Sequence, residues 1–91
     1  MRLPIRVVRA RAGALSASGE TRNLSSGGVL FCSDADVEAG ETIEYTIQLE
    51  GEQTGPALRC LGKVMRIRAG GGDEPSQVAA TLERYEFLRA R

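Results

Sequence analysis

The sequence predicts an all-β domain that closes into a small antiparallel barrel of six strands with a short C-terminal helical segment. Three observations carry that expectation. Residues 42–50 alternate strictly, with Ile43, Tyr45, Ile47 and Leu49 on one side and Glu44, Thr46, Gln48 and Glu50 on the other, which is the period of a half-buried strand. Turn-forming clusters at 13–19, 26–28, 33–40, 51–55 and 70–75 fall where a meander needs its reversals. Finally, 91 residues make a single domain, 1–91, and so short a set of strands hides its edges most economically by closure.

Each element has its own warrant. Leu3, Ile5 and Val7 alternate with Pro4 and Arg6, and a proline suits the first residues of a strand, where its missing N–H costs no ladder bond. Val29-Leu30-Phe31-Cys32 is a short apolar run following the turn at 26–28. Around Gly62 the alternation breaks: Leu58, Cys60 and Val64 fit one face, Leu61, Met65 and Ile67 the other. A bulge or bend at the glycine reconciles the two phases. Val78, Ala80 and Leu82 complete the inward set. In residues 83–91, Tyr85, Phe87 and Leu88 lie on a near-helical spacing and are expected to plug one end of the barrel. A partner-binding surface is the other reading of Tyr85 and Phe87, but the chain has few aromatics to spare from its core.

Composition narrows the function. The formal charge is zero, which weakens the case for binding a phosphate backbone, and two Tyr and two Phe are too few for a core and a base-stacking platform together. Nucleic acid is therefore not an expected partner. With no histidine and only two cysteines, Cys32 and Cys60, no metal-ligand spacing exists and the usual general base is missing. Neither a metal, a cofactor nor an enzymatic activity is expected. Both cysteines lie among apolar residues and read best as reduced thiols of a cytoplasmic protein, with a Cys32–Cys60 disulfide as the alternative the sequence leaves open. No segment approaches membrane-spanning length. The charges are unevenly distributed: Arg2, Arg6, Arg9, Arg11 and Arg22 crowd the first quarter, and Arg59, Lys63, Arg66 and Arg68 follow an acidic middle. If those two segments lie side by side, they form a basic face suited to a small anion.

The strongest functional signal is Asn23-Leu24-Ser25-Ser26-Gly27-Gly28. Gly27 and Gly28 permit a sharp turn with outward N–H groups, and Asn23 and Ser25, two residues apart, project an amide and a hydroxyl to one side. That set suits a purine edge or a phosphate oxygen, although Asn, Ser and Gly between apolar runs also make ordinary turns. Asn23, Ser25 and Gly28 match Asn/Asp-x-Ser-x-x-Gly, and in this the chain resembles the PilZ domain family. The likeness extends to Leu3-Pro4-Ile5-Arg6-Val7 as the opening strand, Gly40-Glu41-Thr42-Ile43 as the central loop and strand, and Val78-Ala79-Ala80-Thr81-Leu82 as the closing strand.

The resemblance implies a six-stranded PilZ barrel and a bacterial signalling module that binds cyclic di-GMP, with Asn23, Ser25, Gly27 and Gly28 shaping a guanine pocket. It also implies an Arg-x-x-x-Arg arm ahead of the first strand to grip the phosphates. Arg2 and Arg6 have that spacing but overlap the strand itself, so the arm is expected before Met1, and Arg2, Arg6 or Arg22 become the substitute phosphate contacts. Two readings follow: a cyclic di-GMP-binding effector, weak without its arm, or a degenerate PilZ-like domain that contacts another protein and binds no nucleotide. An apolar C-terminal segment could also pair with its twin in a homodimer.

Overall fold

The computed structural model describes residues 2–11, 13–49 and 55–89. Seven strands form in order: β1 (Pro4–Ala10), β2 (Gly13–Ser25), β3 (Gly28–Ser33), β4 (Thr42–Gln48), β5 (Ala57–Arg68), β6 (Ser76–Thr81) and β7 (Arg84–Leu88). Six of them close a barrel in the order β1-β2-β3-β6-β5-β4, with β4 returning to β1. Every pairing is antiparallel.

The alternation of residues 42–50 survives as β4, where Ile43, Tyr45 and Ile47 are buried; Glu50 and residues 51–54 of the expected turn lie outside the described residues. Ile5 and Val7 from β1, Val29 and Phe31 from β3, Cys60 and Val64 from β5, and Val78 and Ala80 from β6 complete the core. Leu82 only packs against its margin. Phe31 and Tyr45 stack across the interior with ring centroids 6.3 Å apart. Both thiols are free and buried. The buried Thr21 and Ser33 hydroxyls have partners: Thr21 Oγ1 accepts from the Leu3 N–H at 2.8 Å, and Ser33 Oγ donates to the Ser18 carbonyl at 3.1 Å.

Two expectations fail in instructive ways. Residues 13–19 are not a turn: Gly13 (φ 117°) ends the reversal, and Gly19 sits inside the 13-residue β2, paired with Ser33. A Cβ there would run into the Cys32 carbonyl, so this glycine permits close strand approach, not reversal. Nor do residues 83–89 form a helix; among the described residues none exists, and Arg84–Leu88 is a seventh strand, while residues 90 and 91 of the expected segment lie outside the described residues. Tyr85 and Phe87 alternate with Arg84 and Glu86 at the strand period, and β5 has an edge to offer. β6 pairs with β5 only over Val64–Arg68, so β7 takes the Ala57–Leu61 stretch of that edge. The aromatics therefore do not cap the core: Tyr85 is 68% and Phe87 56% exposed.

The handover from β6 to β7 depends on Gly62. A Cβ on it would collide with the Thr81 carbonyl, the same oxygen that accepts a 2.9 Å hydrogen bond from the buried Tyr45 hydroxyl. Beside it, the Lys63 N–H donates to Thr81 Oγ1 at 2.8 Å, and the Glu83 N–H donates to the Leu61 carbonyl at 2.9 Å. Burial pushes the Tyr45 hydroxyl pKa up, so the group remains a donor. No helix among the described residues is long and apolar enough to cross a membrane.

Gly62→Ala is expected to lower unfolding stability by about 1–3 kcal/mol, the usual cost of forcing atoms into a packed site. Gly27, whose added Cβ meets nothing, should tolerate alanine within about 0.5 kcal/mol in the same chemical denaturation. Burial also pushes the Cys60 thiol up to about 11 from an ordinary 9.0. The unfolded chain therefore loses this proton first, and the thiol's contribution to stability is complete below the lower value and declines as pH rises towards the upper one. Cys60→Ala should flatten that decline in denaturation midpoints measured across the interval.

Candidate functional site

The geometry of the Asn23 turn is decided one residue earlier. Along β2 the odd residues face the barrel interior, ending at Thr21, which is 1% exposed. Continued without interruption, that alternation would turn Asn23 and Ser25 inward. The ladder instead slips: Thr21 pairs with Phe31 and Asn23 with Leu30, leaving Arg22 as an extra residue on β2. The bulge reverses the phase. Asn23 then lies opposite the half-buried Leu30 and Ser25 opposite Gly28, both on the outer face, while Leu24 pairs with the buried Val29.

The turn itself is a two-residue reversal at Ser26 and Gly27 between paired Ser25 and Gly28. Neither glycine has positive φ, contrary to the expectation that this freedom makes the turn. Gly28 is required for a different reason: a Cβ would stand 2.8 Å from the Ala80 carbonyl of β6. Ser25 Oγ donates only a long 3.4 Å bond to the Gly28 carbonyl, and Asn23 has no side-chain hydrogen bond among the described residues. Both groups are exposed. Arg22, in the bulge, directs Nε to Cys32 Sγ at 3.2 Å; this hydrogen bond raises the guanidinium pKa, with the charges of Glu20 and Glu74 acting in the same direction.

A second bulge stands on the far side of the same face. On β5, Cys60, Gly62 and Val64 point inward, so Arg66 and Arg68 would follow them into the core. Met65 interrupts the ladder; Val64 pairs with Ala80, Arg66 with Ala79 and Arg68 with Gln77. The irregularity read from the sequence at Gly62 thus lies at Met65. Asn23, Leu30, Ala79 and Arg66 consequently form one cross-strand row on the outer surface, with Cys32, Gln77 and Arg68 in the next. A groove of about 360 Å³ is lined by Leu30, Ala79, Gln77, Arg66, Ile67 and Arg68. Leu30 and Ala79 give it an apolar floor beside Gln77, and its β5 wall is cationic.

The other arginines are dispersed. Arg2 lies 3.5 Å from Glu20, next to Leu3, which shares a 220 Å³ depression with Thr21, Arg22, Asn23 and Leu24. Arg6 is held in the ladder between Ser18 and Thr46, about 10 Å along the strand from Leu3 at the usual rise per residue. It is not brought to Asn23. The first and third basic segments do not lie side by side either: β4 separates β1 from β5, and Glu44 on it pairs with Arg59 at 2.8 Å and with Arg9 at 3.9 Å. Arg66 and Arg68 were not singled out as site residues. Their signal was the phase break around Met65, which shows only once strand partners are known.

In comparison with known proteins, a family model described as PilZ domain matches residues 1–87. No curated protein and no solved structure matches the chain.

Asn23→Ala and Ser25→Ala, which remove exposed groups, are expected to change unfolding free energy by no more than about 0.5 kcal/mol. Gly28→Ala should cost about 1–3 kcal/mol through its contact with β6. Equal tolerance at all three positions in thermal unfolding would contradict this division of roles.

Proposed function

The chain belongs to the PilZ domain family, whose members are non-catalytic binding modules and typically cyclic di-GMP effectors, and on that premise we propose that it binds cyclic di-GMP on the outer face of β2 and β3. The observation that carries this reading is the Arg22 bulge, which turns the Asn23 amide and the Ser25 hydroxyl outward beside a groove with an apolar floor. A guanine presents acceptors and donors on its edges. A side-chain amide, which both donates and accepts, complements such an edge, and a hydroxyl serves either a base or a phosphate oxygen. Gly27 and Gly28 keep the turn free of side chains where a base would approach.

Arg22 is the cation nearest that edge, and Arg2 lies next along the chain entering β1. Arg6 contributes least, being fixed on a different stretch of the surface. The module would work by binding, as a bacterial signalling component, and its free thiols suit a reducing cytoplasm. A second reading, a PilZ-like domain that contacts a protein and takes no nucleotide, draws on the dispersal of Arg2 and Arg6 and on the exposure of Tyr85 and Phe87.

Titration calorimetry with cyclic di-GMP distinguishes the two. The wild-type chain is expected to bind, and Asn23→Ala and Ser25→Ala are each expected to weaken binding about tenfold, or about 1.4 kcal/mol, without altering thermal unfolding. Unchanged affinity in both variants would remove the turn from the site. No binding by the wild type would leave the protein-contact reading.

A further inference from the structure

We propose that Arg66 and Arg68 form the phosphate-gripping wall of this site, an inference that rests on the cyclic di-GMP reading. The ladder supplies the first reason. The even residues of β5 face the core as far as Val64, and only the Met65 bulge turns Arg66 and Arg68 to the outer surface. A bulge leaves one residue unpaired and bends the strand, and here it also leaves Met65 60% exposed. In exchange, two guanidinium groups stand on the face that carries Asn23.

Register supplies the second reason. Asn23 and Arg66 are the two ends of one row, with Leu30 and Ala79 between them. Three strand spacings separate β2 from β5, about 14 Å, and Leu30 and Ala79 make the apolar floor between them. Arg66 and Arg68 are two residues apart on one side of β5, about 7 Å. Two cations so spaced suit a ligand with two phosphates, and the planar fork of arginine suits phosphate oxygens in particular.

Charge supplies the third. Among the described residues, Arg2, Arg9, Arg11 and Arg59 are engaged by carboxylates, whereas Arg66 and Arg68 make no ion pair and line the groove. Together with Arg22, whose partner is the Cys32 thiol, they are the cations bordering this face that no carboxylate engages among the described residues. Phosphate contact thus falls on the wall opposite Asn23.

The test is calorimetric titration of cyclic di-GMP at low and high salt into the wild type, Arg66→Ala, Arg68→Ala, the double variant, Arg66→Lys and a control, Arg84→Ala on β7. Each alanine variant is expected to bind about tenfold more weakly and the double variant about a hundredfold, with a shallower salt dependence. Arg66→Lys should fall between wild type and Arg66→Ala, since it keeps the charge and loses the fork, and Arg84→Ala should match wild type. All are surface changes, and unfolding midpoints equal to wild type would verify the fold. Wild-type affinity in the double variant, with Asn23→Ala still weakened, would overturn the assignment of the wall and leave the ligand reading standing. Absence of binding by the wild type would overturn both.

Discussion

A β-ladder gives each side chain two directions only, in or out, and the β2–β3–β6–β5 face of this barrel is decided by two residues, Arg22 and Met65, that step outside that alternation; a third irregularity, between Val7 and Arg9, lies on β1. Each reverses the phase of the strand beyond it. Before Arg22 the odd residues of β2 fill the interior; after it Asn23 and Ser25 face outward. Before Met65 the even residues of β5 fill the interior; after it Arg66 and Arg68 face outward. Between them run β3 and β6, regular along their whole pairing, which keeps the two reversed segments in register across the face.

The core makes this arrangement tolerable. Phe31 and Val78, fully buried and paired with one another, anchor the two middle strands from below while Leu30 and Ala79 cover them from outside. Small residues bring the strands close: Gly28 meets the Ala80 carbonyl, and Gly62 meets that of Thr81. At Thr81 the same carbonyl is held by the Tyr45 hydroxyl from β4, one strand beyond β5, tying β4, β5 and β6 at one point. From there the chain leaves the barrel and returns along β5 as β7, so that a single long strand supports two partners on one edge. The rim groups of the turn are correspondingly free of structural duties, with one long hydrogen bond from Ser25, whereas Gly28 has an obligation to packing.

Much of the scaffold was legible in the sequence because burial on one face imposes a period of two. Residues 42–48 and Ile5 and Val7 show it plainly, and the Ser26-Gly27 reversal was placed between its strands. What was not legible has specific causes. Gly19 looks like a turn residue, but its task is to accommodate the Cys32 carbonyl, a tertiary contact with no local signature. Tyr85, Phe87 and Leu88 fit a helix as well as a strand in so short a run; the open edge of β5 decides for the strand. The break in β5 was visible as a conflict of phase, yet its position depends on which residue of β6 faces Val64. For the same reason Asn23 and Ser25 were recognisable as a motif, while Arg66 and Arg68, more than forty residues away in sequence and three strands across the sheet, were not.

One outer face, bounded by the bulges at Arg22 and Met65, is the proposed binding surface for the dinucleotide. Backbone amide shifts in the nuclear magnetic resonance spectrum of the protein, followed as cyclic di-GMP is added, test it most directly. The shifted amides are expected to form a continuous patch spanning Asn23, Ser25, Gly28, Leu30, Ala79, Arg66 and Arg68. Shifts confined to the β1–β4 surface around Arg6 and Thr46, or to β7, would contradict it.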